Sequence, residues 1–84
     1  MNSTTQPGEA LHHLTTLLHT RFRIPLALLL PDATFESFKL DSLDIEEIRM
    51  TICDAYGFDL WRDAYDPQTT LGRAADALNR GEDL

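Results

Sequence analysis

Apolar side chains recur every three or four residues in three separate stretches, and each stretch is closed by a proline or a glycine. Leu11, Leu14, Leu18 and Phe22 fall on one face of a helix over 9–22, and Leu17 widens that stripe. Pro7 and Glu9 suit its start, Arg21 and Arg23 suit its end, and Pro25 stops it. A second helix is expected from Asp41-Ser42-Leu43-Asp44, where Asp41 can cap and an acid follows three residues later. It runs to about Tyr56, and Gly57 ends it. Leu60 to about Tyr65 reads as a short helix ended by Asp66-Pro67. Thr69 or Thr70 can cap a last helix from Leu71 to about Asn79, with Leu71, Ala74, Ala75 and Leu78 facing inward and Gly81 closing it.

Between the first two helices lies a long connection, residues 24–40, rich in apolar side chains. Its run Leu26-Ala27-Leu28-Leu29-Leu30 could form a buried strand, but nothing else in the chain offers it a partner. A loop or a short helical turn lying on the core is expected. The expected fold is all-α: a small bundle of three long helices plus one short helix, with a long loop between helices 1 and 2. Residues 1–8 and 81–84 are expected to be flexible ends of a domain spanning 9–80.

Size and charge narrow the function. With 84 residues, a deep enzymatic cleft is improbable, and a binding or carrying role is expected rather than catalysis. Fourteen acids against seven bases give a net charge of −7, which repels phosphate backbones, so no nucleic-acid partner is expected. No apolar run approaches the roughly 20 residues of a membrane span, so no membrane insertion is expected. No basic segment followed by an apolar one opens the chain, and the single cysteine, Cys53, excludes an internal disulfide framework. A cytoplasmic protein is expected, acting as a monomer.

On a wheel of about 100° per residue, Ile45, Ile48, Ile52, Ala55 and Tyr56 form the core stripe of the second helix. Leu43 and Met50 lie nearly opposite, among Glu46, Glu47 and Asp54. Two large apolar residues set among carboxylates suit a surface that docks a basic partner. Ser42 stands at the first turn of the same helix, an accessible hydroxyl beside that surface. The plainer reading is an ordinary N-terminal serine next to its cap. A catalytic serine is not indicated, because no Gly-x-Ser-x-Gly elbow surrounds it. His12, His13 and His19 lack the i, i+4 spacing of a helical metal pair and suit solvated or edge positions; no metal site is expected. Cys53 reads as a packed, inert thiol.

Asp41-Ser42-Leu43 resembles the Asp-Ser-Leu motif of acyl carrier proteins. The register around it agrees, with Phe35 before the motif, Asp44, Glu47, Met50 and Tyr56 after it, then Leu60 and Thr70-Leu71 with Ala74 and Leu78. The match covers about residues 9–80. It implies a discrete carrier that holds acyl intermediates as thioesters on a 4′-phosphopantetheine arm at Ser42, with Asp41 flanking and orienting the site. It implies partner docking through Leu43, Asp44, Glu46, Glu47, Met50 and Asp54. The implied partners are a phosphopantetheinyl transferase, with Mg²⁺ held mainly by that enzyme, and acyl-loading, condensing or acyl-transfer enzymes. Four positions depart from the family pattern: Lys39 where a glycine is usual, Arg49 and Glu46 where apolar residues are usual, and Arg62 in a region often acidic. These departures point to a specialised lipid, polyketide or peptide pathway rather than primary fatty-acid synthesis. A peptidyl or aryl carrier, or an unmodified helical interaction module of the same fold, are the alternatives.

Overall fold

The computed structural model describes residues 9–84. The expected flexible segment 1–8, with Pro7, lies outside the described residues. Three α-helices are present: α1 (Glu9–Phe22), α2 (Ser42–Tyr56) and α3 (Leu71–Arg80). Two short 3₁₀ turns, Leu26–Leu28 and Phe35–Phe38, break the first connection. No strand forms among the described residues, where Thr34 and Thr70 make one isolated antiparallel bridge.

Hydrogen bonds fix how the helices run. Ala10 at the start of α1 donates from its backbone to Asn79 Oδ1 near the end of α3, 3.3 Å away. His13 and Tyr56 join the start of α1 to the end of α2, while Arg21 and Glu47 pair near the opposite ends of the same helices. Hence α1 runs antiparallel to both α2 and α3. The end of α1, the start of α2 and the start of α3 therefore share one end of the molecule, and Ser42 is on it.

The core holds Ala10, Leu14, Leu17 and Leu18 of α1, Ile48 and Ile52 of α2, and Leu71, Ala74, Ala75, Ala77 and Leu78 of α3. Ala55, expected in the core stripe, is exposed. The ring of Tyr56 makes the contact with His13. In the first connection Ile24, Leu29, Phe35 and Phe38 are buried, whereas Leu26, Leu28 and Leu30 are more than half exposed. The expected short helical turn forms at Leu26–Leu28, but the connection lies on the core only through its buried members, and Leu26, Leu28 and Leu30 correct the rest of that expectation. A single 3₁₀ turn spreads its side chains around its axis, so only part of a five-residue run can face inward.

The short helix expected over 60–65 does not form; the segment is irregular. Its side chains are nonetheless fixed. Leu60 and Trp61 are buried, and Trp61 Nε1 donates to Thr69 Oγ1 at 3.0 Å. Phe35 meets Trp61 edge-on at 5.2 Å, and Trp61 meets Tyr65 at 5.0 Å. Edge-to-face pairs of this kind add about 0.5–1.5 kcal/mol each beyond area burial. Backbone bonds from Phe35 to Thr69 and from Glu36 to Pro67, both 2.9 Å, bind the two connections together. With these tertiary anchors the segment holds its shape without a helical ladder. At the C-terminus, expected to be flexible, Leu84 donates to the Leu60 carbonyl at 2.8 Å.

Gly72 sits where the first connection crosses the start of α3. Its amide donates to the Pro31 carbonyl at 2.7 Å, and a Cβ there would lie 2.9 Å from that same oxygen. Gly72→Ala is therefore expected to destabilise the fold by about 1–3 kcal/mol, through forced separation of two backbones. Urea denaturation checks this; an unchanged midpoint would show that the crossing gives way freely.

Candidate functional site

The start of α2 is built by a reciprocal cap. Asp44 N donates to Asp41 Oδ1 at 2.8 Å, and Asp41 N donates to Asp44 Oδ2 at 3.4 Å. Both acids flanking Ser42 therefore hold the helix start in place. The first helical residue is Ser42 itself, exposed, with no hydrogen-bond partner for its hydroxyl among the described residues. A rigid turn thus presents a free alcohol to solvent.

Lys39, three residues earlier, ends the Phe35–Phe38 turn in the left-handed conformation, φ 59° and ψ 40°. A glycine adopts this conformation at no steric cost. The lysine keeps that backbone shape, and its side chain is exposed.

Beside Ser42 opens a groove of about 700 Å³ between α2 and the irregular segment after it. Ser42, Ile45, Glu46, Arg49, Met50 and Cys53 of α2 line one side. Leu40, Asp41, Asp59 and Tyr65 line the rest. Arg49 stands in its wall, with Nη2 donating to Asp59 Oδ2 and to the Trp61 carbonyl, both at 2.8 Å. Burial, then Asp66 and Glu36, push the Tyr65 phenol above its ordinary pKa, so it stays neutral well past neutral pH. Cys53, expected to be packed, is exposed and lines the groove. It lies outside the Ile48/Ile52 stripe, on the same side of the wheel as Ser42 and Arg49. The i, i+4, i+7, i+11 spacing of Ser42, Glu46, Arg49 and Cys53 is a stripe that sequence could have revealed. It was hidden because two of its members are charged.

The expected docking residues divide. Leu43 is 77% exposed and Met50 62% exposed, and Glu46 and Asp54 are exposed beside them. Glu47 instead pairs with Arg21 of α1, and Asp44 serves in the cap. Arg62 pairs loosely with Asp83 at 3.8 Å. Among the described residues no group of three or more His, Cys, Asp or Glu could hold a metal ion, and no helix is long and apolar enough to cross a membrane. His12 and His19 are exposed, and His13 shares a hydrogen bond with the Tyr56 hydroxyl at 2.9 Å.

Fold and site define a class: a small all-α domain that presents one unpartnered serine hydroxyl at a capped helix start, beside a groove. No family model matches this chain, nor does any curated protein or solved structure.

Lys39→Gly is expected to raise stability by up to about 1 kcal/mol. Relief of the left-handed strain, about 1–2 kcal/mol, outweighs the extra unfolded-state freedom of glycine, about 0.5–1 kcal/mol. Thermal denaturation of both proteins tests this, and a lowered Tm would mean that the lysine side chain makes a stabilising contact of its own.

Proposed function

We propose that this protein is a carrier of the acyl carrier type, with Ser42 as the attachment point of a 4′-phosphopantetheine arm. One observation supports the reading most strongly: the Ser42 hydroxyl is exposed and unpartnered at the first residue of a capped helix. The Asp-Ser-Leu resemblance and the register over 9–80 add to it. In the fold implied by that resemblance, the irregular segment 60–65 takes the place of the short helix between α2 and α3.

Attachment needs only an accessible nucleophile. Ser42 Oγ attacks the phosphorus of coenzyme A that bears pantetheine. The phosphoanhydride bond breaks, adenosine 3′,5′-bisphosphate leaves, and the serine proton passes to a base of the transferase. The flanking carboxylates disfavour a free anion, which suits a site that is modified by a docked enzyme with its own Mg²⁺ rather than one that traps phosphate. When bound, the arm supplies a thiol on which acyl groups are held as thioesters. The chain then delivers cargo by docking, at the high effective concentration that tethering provides. Transferase, acyl-loading, condensing and acyl-transfer enzymes are the partners on this reading, in a fatty-acid, polyketide or other specialised pathway in the cytoplasm.

Intact-mass spectrometry after incubation with coenzyme A and a broad-specificity transferase tests the assignment. A gain of one phosphopantetheine on the wild type and none on Ser42→Ala is expected. No gain, or an equal gain on both, defeats it. The exposure of Leu43 and Met50 also suits an unmodified interaction module of the same shape, and the first of those two negative results would favour that reading.

Docking is assigned to Leu43, Glu46, Met50 and Asp54. Glu46→Lys combined with Met50→Ala is expected to slow modification by the transferase about tenfold, equivalent to about 1.4 kcal/mol. Rates measured at low and high salt check this: the charge contribution shrinks with salt while the Met50 contribution persists. Unchanged rates with every partner enzyme would remove this face from the docking surface.

A further inference from the structure

The groove beside Ser42 is not lined for a plain hydrocarbon. Leu40, Ile45 and Met50 give it apolar wall, but Asp41, Glu46, Arg49 and Asp59 stand among them. A guanidinium has five N–H donors. Two of them, on Nη2, are engaged by Asp59 and the Trp61 carbonyl. The three on Nη1 and Nε have no partner among the described residues, and the Arg49 side chain is only 29% exposed. The Asp59 Oδ1 atom is buried and also unpartnered. Arg49 and Asp59 offset each other, and Asp41 and Glu46 leave the lining net acidic, so it repels a free anion and suits the oxygen of a neutral dipole at Arg49. An alkyl chain laid against Arg49 would displace water from these donors and return nothing. Hydrogen bonds to charged groups are stronger than those between neutral groups, so that loss is large for a small groove.

Position fits the reading. Arg49 follows Ser42 by seven residues, two turns and about 10 Å along the same face of α2. A linear group anchored at Ser42 and folded back along the helix passes it before reaching Cys53.

We infer that Arg49 makes this groove a seat for a neutral carbonyl group borne on the Ser42 arm, so that oxo-bearing cargo is held there in preference to saturated acyl chains. The inference rests on the carrier reading. The accepting oxygen has two possible sources with one chemistry, an amide carbonyl of the arm or a ketone of the cargo.

Nitrogen-15 NMR of the full chain separates the cases, with apo, holo, octanoyl and 3-oxooctanoyl forms compared and each form verified by intact mass. The Arg49 Nε–H signal is expected to shift in the 3-oxooctanoyl form beyond its position in the octanoyl form. If the holo form alone already shows the full shift, the arm's amides are the source: the carbonyl seat stands and the preference for oxo-bearing cargo is overturned. In Arg49→Leu the preference reverses, and octanoyl loading then gives the larger rise in Tm. An Arg49 signal that stays fixed through all four forms overturns the inference, as does an octanoyl shift equal to the 3-oxooctanoyl shift and greater than that of the holo form. Failure of any arm to attach, seen in the mass alone, defeats the carrier reading and this inference with it. Full loading with a silent Arg49 defeats only the inference.

Discussion

The edge-on contact between Phe35 and Trp61 holds the two connections of this fold to one another, and the site depends on it. The helices alone form a modest core, because α2 contributes only Ile48 and Ile52 as fully buried residues. Phe35 is almost completely buried in the first connection, and Trp61 is almost completely buried in the second. Around this pair the Phe35–Thr69 and Glu36–Pro67 backbone bonds close, and Tyr65 packs against both rings. The result sets a fixed second wall opposite α2. Remove that wall and Ser42 is a serine on an open helix; with it, Ser42 stands at the mouth of a groove.

Helix ends were legible in the sequence because each is decided locally. Asp41 and Asp44 form the cap that their spacing announces, Thr70 caps α3, and Gly57 and Gly81 end their helices in the left-handed conformation. The features that were not legible depend on contacts distant in sequence. Residues 60–65 carry enough apolar side chains for a helical turn, yet Trp61 is drawn to Phe35 and Thr69, and Arg49 takes the Trp61 carbonyl. Those bonds satisfy the segment without a helix. Cys53 reads as packed in sequence but is exposed, because a wheel gives direction but not the width of the contact, and α2 packs through a narrower stripe than its apolar residues suggest. Lys39 is the converse case: the residue departs from the family pattern, and the backbone still takes the shape that glycine favours.

Charge must also be read after folding rather than counted. A net charge of −7 suggests a uniformly acidic surface. Many of its acids are engaged within the molecule: Asp41 and Asp44 in the cap, Glu47 with Arg21, Asp59 with Arg49, Asp76 with Arg80. On α2 this leaves Glu46 and Asp54, on either side of Met50 and close to Leu43 on the wheel. On that face these two carboxylates stand beside two exposed apolar residues. Such a face can steer a basic partner from a distance and release it readily, since exposed charges add more to encounter rate than to lifetime.

The same engagement explains why Arg49 can sit in a groove at all. A lone guanidinium there would carry a desolvation penalty of several kcal/mol, and a well-packed hydrophobic residue of similar volume would often serve stability as well or better. Asp59 offsets the charge but leaves most of the donors open. The two bonds of Arg49 to Asp59 and the Trp61 carbonyl help fix the irregular segment, but they use only Nη2. A polar group lying along the groove would use the donors that folding leaves open, about 10 Å along the helix from the Ser42 hydroxyl.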